Sequence, residues 1–387
     1  MTGPGTGGLR HTAAMANTVN IPPGSNVSSQ GFGFQGDAPN FASEQRRDMT
    51  TARIGLMGFG RIGRNVFRLL HNRADLDIVA IADVAKPEAL TYLLKYDSIY
   101  GRFPLEVEYR DGQLLYGDKT VAFQDSRTPA ETKWADAEVD IVVDTTSRYR
   151  SLQTLQGHLD NGAGHVVLTS SPETPGEIPL LLKGINDEVL DTAPPIVALG
   201  SNTSNAAAPI LRILDEAFGL NRVFMTVVKA MSNSGRLADV PTDAFRTSRA
   251  AGENIIPADT NTAEIITQVL PELRGKLVVT ALNVPVPDGS TVDMVAETSA
   301  TVTAAEVNEA VRTQVAERYG EVIEYVADPI VSSDVRLNPH SGIYDSLATL
   351  ITGGDMVKTI TWFNNGWGYS HRVVEVAAAI AAKGVSR

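Results

Sequence analysis

Residues 52–83, ARIGLMGFGRIGRNVFRLLHNRADLDIVAIAD, predict a strand, a glycine-rich turn, a helix and a second strand. Apolar Ile54, Leu56 and Met57 precede the turn, and apolar residues recur at helical spacing after it. The turn fits the pattern G-x-G-x-x-G, and an acidic residue, Asp83, follows about twenty positions beyond it. Because these features occur together and in this order, the stretch predicts a dinucleotide-binding βαβ unit.

The turn and the end of the second strand predict how a dinucleotide would bind. Glycines permit close approach of a pyrophosphate, whose charge is favoured by the free amides at a helix start. Asp83 would accept hydrogen bonds from ribose hydroxyls and repel a 2′-phosphate, which favours NAD over NADP. In the alternative interpretation the glycines form only a tight turn and Asp83 is solvated. The predicted contact residues are Gly58, Phe59, Gly60, Arg61, Ile62, Gly63 and Asp83.

The remaining segments predict an α/β protein. VDIVVDTT (139–146), HVVLTS (165–170) and PIVALGS (195–201) alternate with helical or loop material, which indicates a Rossmann-type, doubly wound parallel sheet. Longer strand-like runs then follow, with one amphipathic helix at 304–318. This second pattern indicates an α+β catalytic-type domain with a mixed or antiparallel sheet.

These patterns divide the chain into three parts. Residues 1–50 are rich in Gly, Pro, Ser and Asn and predict disorder, and whether they belong to the natural protein is left open. Residues 51–200 and 367–387 form the expected dinucleotide-binding domain, because the alanine-rich C-terminal helix should pack back on the first sheet. Residues 201–366 form the expected second domain.

The second domain is predicted to begin with a helix in the segment SNAAAPILRILDEAFG. Ser204 or Asn205 is the expected N-cap, since both residue types accept hydrogen bonds from free helix amides. Pro209 would then lie in the first turn, where its missing N–H is tolerated.

Composition excludes several classes of function. The 387 residues carry a net charge of −12 without a Lys/Arg-rich run, which argues against nucleic acid as a partner. The chain contains no cysteine, so thiol catalysis, disulfides and thiolate metal sites are excluded. No apolar stretch reaches the roughly 18 residues of a membrane span, and the spacing of the histidines indicates no metal site. We therefore expect a cytoplasmic protein without metal, membrane or nucleic-acid partners.

Five segments of the chain carry motifs of a known family. They are IGLMGFGRIGR (54–64), YDSIYGRF (96–103), NIIPADTNTAEIITQVLPELRGKL (254–277), VSSD (331–334) and WFNNGWGYSHRVV (362–374). These motifs resemble those of the glyceraldehyde-3-phosphate dehydrogenase family. The resemblance implies a two-domain subunit, NAD bound in an extended conformation, and a homotetramer whose subunits exchange a loop at about 231–256. It also implies oxidation of an aldehyde by thiolate attack, hydride transfer to NAD and phosphorolysis of a thioester.

The chain departs from the family at the positions of the nucleophile, the base and the phosphate-binding arginine. The family's nucleophile segment, S-C-T-T-N-C-x-A-P, reads SNTSNAAAP at 201–209, which places Asn202 at the nucleophile position. An amide has no thiolate form, so the covalent step is impossible there. The family's histidine base falls on Lys229, whose ordinary pKa near 10.4 makes it a poor base at neutral pH. The family's phosphate-binding arginine falls on Asn283.

Other family positions are retained. Asn365 and Tyr369 match residues that hold the nicotinamide carboxamide region, and Thr146 lies in the altered stretch DTTSRY beside the nucleotide. The resemblance also implies contacts to a phosphorylated substrate, although that set is incomplete. These implied contacts are Ser201, Thr203, Thr260 and Arg249.

Two functions fit these residues. The first is an NAD-binding, non-catalytic or regulatory homologue, with a homotetramer and a small phosphorylated metabolite as candidate partners. The second is a repurposed NAD-dependent oxidoreductase that transfers hydride directly, with Lys229 as proton donor and Asn202 as a hydrogen-bond donor to substrate. In structural terms alone, Lys229 would be a solvated or salt-bridged lysine and Asn202 a helix cap.

Overall fold

The first sheet of the computed structural model is built around the predicted βαβ unit. The structure describes residues 51–232 and 235–384, so the expectations for residues 1–50 and for the last three residues lie outside it. The strands of this part are β1 (Ala52–Met57), β2 (Leu76–Ala82), β3 (Tyr96–Asp97), β4 (Gly101–Arg102), β5 (Val107–Arg110), β6 (Gln113–Tyr116), β7 (Lys119–Gln124), β8 (Ile141–Asp144), β9 (His165–Leu168) and β10 (Ile196–Ala198).

The sheet has the order β10-β9-β8-β1-β2-β7-β6-β5, and β3 and β4 form a separate small hairpin. The strands from β10 to β7 are parallel, as the doubly wound pattern predicts. The edge strands β5 and β6 are antiparallel, because tight turns at Asp111-Gly112 and Gly117-Asp118 reverse the chain. Asp111, Gly112 and Gly117 have positive φ, which such hairpin turns require. The predicted doubly wound parallel sheet is therefore confirmed, with an antiparallel pair of strands added at this edge.

Seven α-helices cover the two sheets of the described chain. They are α1 (Arg61–Leu70), α2 (Pro87–Lys95), α3 (Leu152–Asp160), α4 (Asn202–Phe218), α5 (Thr262–Val269), α6 (Ala304–Gln314) and α7 (Trp367–Ala382). Val66 and Leu70 of α1 share a buried cluster with Val373 and Ala377 of α7. The C-terminal helix therefore packs against the helix that follows the glycine turn.

The second sheet is mixed, as its sequence pattern predicts. Its order is β12-β13-β11-β14-β17-β16-β15, with β11 parallel to β13, β15 parallel to β16, and the other neighbours antiparallel. Val292, Met294 and Ala296 of β14 are buried at alternate positions and belong to the same core cluster as α4. The strands are β11 (Leu220–Lys229), β12 (Ile256–Ala258), β13 (Leu277–Asn283), β14 (Ser290–Thr298), β15 (Ile323–Val326), β16 (Gly342–Thr352) and β17 (Met356–Phe363).

The start of α4 differs from the expectation. Ser201 is the N-cap, because its hydroxyl accepts from the Ser204 amide at 3.1 Å while the Ser204 hydroxyl accepts from the Ser201 amide at 2.9 Å. This reciprocal pair starts the helix at Asn202, so neither Ser204 nor Asn205 is the cap. Pro209 lies inside the helix rather than in its first turn.

Candidate functional site

The glycine turn is held in one conformation by close contacts. Gly58 has a φ of +89°, a region in which glycine is unstrained. A Cβ on Gly63 would lie 2.3 Å from the Gly58 carbonyl oxygen, so only glycine allows α1 to pack this closely on the turn. The Thr145 hydroxyl donates to the same carbonyl at 2.7 Å. These contacts fix the direction in which the start of α1 points.

The start of α1 is open and suits an anion. Gly60 is the N-cap and supplies no side-chain hydrogen bond, so the first amides of the helix stay available to a ligand. A Cβ built on Gly60 would meet nothing within 4 Å, because this face opens into a cavity of about 470 Å³. The residues present therefore fit a dinucleotide pyrophosphate.

Three arginines make this first cavity cationic. Arg61, Arg127 and Arg148 line it, and none has a carboxylate within ion-pair distance among the described residues. Sequence reasoning found Arg61 in the turn but missed the other two arginines, which come from loops distant in the chain. The local charge is thus opposite to the net charge of −12, which favours a phosphate-bearing ligand.

Asp83 also lines the first cavity and organises the glycine turn. One carboxylate oxygen accepts from the Phe59 amide at 2.7 Å, and the other accepts from the Ala85 amide at 2.8 Å. A carboxylate has about four acceptor sites, so both oxygens can still accept from ribose hydroxyls. Asp83 therefore has a structural role besides its predicted role in cofactor binding.

The remaining predicted cofactor residues divide into a core residue and cavity residues. The Phe59 ring is buried and packs edge-on against Phe67 and Phe123, so only its backbone belongs to the turn. The Thr146 hydroxyl and amide both bind the same Asp144 carboxylate oxygen, at 2.7 and 2.8 Å. Thr146 and Ile62 line the first cavity.

A buried network that sequence reasoning missed supports Thr146. The Trp134 indole donates to His158 Nδ1 at 2.9 Å, and His158 Nε2 lies 3.4 Å from Asp144 Oδ2. Because Nδ1 accepts, Nε2 carries the proton and faces the carboxylate. All three side chains are buried, so this network holds Asp144 and, through it, the loop beside the cofactor cavity.

A second cavity of about 320 Å³ lies beside Asn202. It is formed where the carboxyl ends of β8, β9 and β10 meet the start of α4, the usual place for ligands in a parallel sheet. It shares Ile62, Ser147 and Asn365 with the first cavity, so the two spaces adjoin. Its lining residues are Ile62, Ser147, Arg150, Thr169, Ser170, Ser171, Gly200, Ser201, Asn202, Asn261, Asn365 and Tyr369.

Asn202 is held at both ends of its amide group. Its Nδ2 donates to the Asn365 carbonyl at 2.9 Å, and its Oδ1 accepts from the Thr203 amide at 2.8 Å. The side chain satisfies an amide of the first turn but is not the helix cap, which is Ser201. It offers the cavity a partly committed carboxamide, with no group that could attack a carbonyl carbon.

Asn365 and Tyr369 border the same space with their polar groups engaged. The Asn365 amide nitrogen donates to the Ala230 carbonyl at 3.3 Å, and its oxygen accepts from the Ser290 hydroxyl. The Tyr369 hydroxyl donates to the Gly200 carbonyl at 3.0 Å, and burial raises the pKa of this phenol above its ordinary value. Tyr369 therefore helps to hold the loop that leads from β10 into α4.

Lys229 ends β11 and is not part of the lining of the second cavity. It pairs in register with Asn283 on the neighbouring parallel strand, so these two altered positions lie side by side. Burial lowers the pKa of the Lys229 ammonium below its ordinary value. Among the described residues no carboxylate lies within ion-pair distance of it, so the salt-bridged alternative does not apply to this part of the chain.

The implied phosphate contacts do not all come together. Ser201 lines the second cavity, whereas its neighbour Thr203 is buried. The Thr260 hydroxyl is paired with that of Thr262 at 2.8 Å, at the start of α5. Arg249 lies in an exposed loop and binds Asp239 at 3.0 Å, outside the lining of the second cavity.

Asn283, at the position of the family's phosphate-binding arginine, does not line the second cavity. It lines a third cavity of about 440 Å³, together with residues of the loop that follows β11. The second cavity also contains Asn261, the residue after Thr260, and three polar residues that sequence reasoning missed, namely Arg150, Ser170 and Ser171. Sequence patterns predicted strands that end at 146 and 170. Polar residues directly after such parallel strands were the signal that could have identified most of the missed cavity residues.

The described residues contain no helix long and apolar enough to cross a membrane. Within 51–232 and 235–384, no group of three or more His, Asp or Glu side chains is arranged to hold a metal ion.

Comparison with known proteins agrees with this architecture. Residues 52–152 match the glyceraldehyde 3-phosphate dehydrogenase NAD binding domain, and residues 201–365 match the C-terminal domain of the same enzyme family. Glyceraldehyde-3-phosphate dehydrogenase of Geobacillus stearothermophilus is 39% identical over 334 residues, which cover 86% of this chain and 99% of the relative. The corresponding enzyme of Mycobacterium avium is 38% identical over 337 residues, which cover 85% and 98% of the two chains. The chain, with its mixed second sheet and NAD-binding first domain, belongs to the glyceraldehyde-3-phosphate dehydrogenase family.

Proposed function

We propose that this protein binds NAD but does not carry out the thioester reaction of its family. The observation that carries the proposal is Asn202, a carboxamide held by Asn365 and Thr203 at the start of α4. The chain has no cysteine that could replace it. A non-catalytic or regulatory NAD-binding protein is therefore the function that the site supports best.

The glycine turn and its surroundings support retained cofactor binding. The free amides at the start of α1 would take the pyrophosphate, Asp83 would take the adenosine ribose, and Asn365 would face the nicotinamide end. Bound NAD would supply a hydride acceptor beside the second cavity. The chain's own residues would bind and orient it, with Thr145 fixing the turn and Asp144 fixing Thr146.

An assay with glyceraldehyde 3-phosphate, with and without inorganic phosphate, tests the proposal. We expect NAD to bind in calorimetry and no aldehyde-dependent NADH to form under either condition. The 39% identical enzyme of Geobacillus stearothermophilus serves as the positive control for the assay. Turnover that depends on both aldehyde and phosphate would contradict the proposal, and absence of NAD binding would contradict its cofactor part.

A second candidate function is direct hydride transfer between NAD and a carbonyl or alcohol. The observation that favours it is the lowered pKa of Lys229, since a lysine that titrates nearer neutral pH is a better proton donor to an alkoxide. Against it, Lys229 lies outside the lining of the second cavity. If a substrate is found, unchanged turnover in Lys229→Met would exclude this role, while Lys133→Met provides a control for the loss of one ammonium.

We further propose, from family membership, a cytoplasmic homotetramer and, from the sequence patterns, the domain division 51–200 plus 367–387 and 201–366. Hydrogen exchange with and without saturating NAD would test the division, because a ligand of one domain should slow exchange mainly in that domain. Equal slowing of exchange in 51–200 and in 201–366 would contradict it.

A further inference from the structure

Most lysines of the chain are paired with a carboxylate or exposed to solvent. The chain has nine lysines, all within the described ranges 51–232 and 235–384. Five form ion pairs, namely Lys95, Lys119, Lys183, Lys358 and Lys383. Lys86 and Lys133 are exposed. Lys229 and Lys276 are half-buried, and no carboxylate of the described chain lies within ion-pair distance of either. The fold therefore partly encloses these two amines without a counter-ion.

Lys229 lies at the end of β11, on the face of the sheet that packs against α4. Side chains alternate along a strand, so Lys229 shares its face with Met225 and Val227. Both of these residues are buried in the core cluster that contains residues of α4. The other face of β11 is open to solvent at Phe224. The stem of Lys229 therefore leaves the core on the side of α4.

The amine of Lys229 is partly withdrawn from water without a compensating partner. Its Nζ forms no hydrogen bond within the described chain, yet the atom is not sealed off from solvent. Burial lowers the pKa of this ammonium below its ordinary value. A neutral amine has a free lone pair, so a desolvated lysine is a better nucleophile at neutral pH than an exposed one. Lys229 is therefore suited to attack a carbonyl carbon.

Asn283 places an amide group beside this amine. Lys229 and Asn283 are register partners on the parallel strands β11 and β13, and neighbouring strands lie about 4.8 Å apart. Val227 and Ala281 are also register partners and both are buried, so the two polar side chains lie on the same face of the sheet. Asn283 lines the third cavity, and its side chain makes no hydrogen bond among the described residues. Its amide nitrogen is therefore free to donate to a ligand oxygen in that cavity.

We propose that Lys229 binds a small uncharged aldehyde covalently and reversibly as an imine, with the aldehyde in the third cavity beside Asn283. Lys229 is not part of the cavity wall, so its flexible four-carbon stem must carry the amine to a carbonyl group that Asn283 holds. The described wall carries one cation, Arg236, and one anion, Asp243, which favours a ligand without net charge. With a volume of about 440 Å³, the cavity accommodates an aldehyde of a few carbons.

Imine formation needs only the amine, the aldehyde and proton transfers. The neutral amine attacks the carbonyl carbon, an N–C bond forms, the C–O π bond opens, and one amine proton moves to the oxygen. The resulting carbinolamine then loses its hydroxyl and the second amine proton as water, which leaves the C=N bond. NAD takes no part in these steps, so the inference goes beyond the proposed function and does not depend on cofactor binding.

Reductive trapping of the full chain tests the proposal. The protein is incubated near neutral pH with propionaldehyde and sodium cyanoborohydride, which reduces an imine to a stable propylamine, and mass spectrometry of its peptides gives the labelling rate of each lysine. We expect Lys229 to be labelled several-fold faster than the exposed Lys86 and Lys133. In guanidinium chloride this preference should disappear, because it depends on the fold. A rate for Lys229 no higher than for Lys86 and Lys133, or a preference that survives unfolding, would overturn the proposal.

Two substitutions test where the aldehyde binds. Asn283→Ala removes the donor to the carbonyl oxygen and should slow the labelling of Lys229 several-fold while leaving that of Lys86 unchanged. Lys276→Met is the matched control, because Lys276 is the other half-buried lysine without an ion pair and lies just before β13, at the far end of the strand from Asn283. It should leave the labelling of Lys229 unchanged. Labelling of Lys229 at the full rate in Asn283→Ala would overturn the placement of the aldehyde beside Asn283.

Discussion

Asp83 shows how one residue can serve both the fold and the ligand. Its two oxygens accept from the Phe59 and Ala85 amides, and the carboxylate also faces the cofactor cavity. The sequence motif predicted the cavity position, because an acid at the end of the second strand is part of the dinucleotide-binding pattern. It did not predict the bond to the turn, which depends on the register of the two strands.

Asp83→Asn should weaken NAD binding by about tenfold and narrow the preference for NAD over NADP, since a charged acceptor is lost and a 2′-phosphate is no longer repelled. Calorimetry with both dinucleotides measures the two effects. Asp136→Asn, at an exposed position, makes the same charge change and should alter neither affinity. Unchanged NAD binding in Asp83→Asn would show that the ribose lies elsewhere.

The burial of Lys229 predicts that the free energy of unfolding depends on pH. Burial lowers its pKa in the folded state relative to the unfolded value near 10.5, so the unfolded state binds more protons between the two values. Burial of the Lys229 ammonium therefore destabilises the fold fully at pH values below the pKa of Lys229 in the folded state. This destabilisation disappears as the pH rises toward 10.5.

Lys229→Met should stabilise the protein at neutral pH by on the order of 1 kcal/mol, because the cost of burying the ammonium is removed. The gain should shrink as pH rises through the alkaline range, and urea unfolding at several pH values measures it. Lys133→Met, at an exposed position, should show no such trend. A constant gain at all pH values would attribute the effect to packing instead of charge.

At the scale of elements, helix α1 and its turn allow a matched pair of substitutions. Gly63→Ala places a methyl group 2.3 Å from the Gly58 carbonyl and should destabilise the fold by about 1–3 kcal/mol. Gly60→Ala meets no atom within 4 Å and should change stability by less than about 0.5 kcal/mol, while filling space where the pyrophosphate would bind. Urea unfolding and NAD calorimetry separate the effects, and equal stability losses would refute this distinction.

Sequence patterns predicted the elements whose signals are local. The βαβ unit, the mixed second sheet and the C-terminal helix follow from hydrophobic periodicity and glycine placement. The predicted start of α4 was wrong. The prediction placed Pro209 in the first turn, whereas the reciprocal hydrogen bonds of Ser201 and Ser204 begin the helix at Asn202. Arg150 and its neighbours were missed because their proximity depends on three loops meeting at one sheet edge, which no local pattern encodes.

At the scale of the whole molecule, the loop after β11 exposes large apolar side chains. Leu237 is 99% exposed and Phe245 is 86% exposed. Exposed apolar residues that cluster in one segment are typical of protein interfaces. Their position within the loop that the family resemblance assigns to subunit exchange is consistent with the proposed homotetramer.

Phe245→Asp should therefore shift the protein toward smaller assemblies, because it would place a charge in an apolar contact between subunits. Analytical ultracentrifugation measures the mass, and a tetramer of the unaltered 41.4 kDa chain is the expected reference. Leu152→Asp, at a partly exposed position in the first turn of α3, is the matched control and should leave the assembly intact. An unaltered chain that sediments as a monomer would contradict the homotetramer, and a tetramer that survives Phe245→Asp would place its interfaces outside this loop.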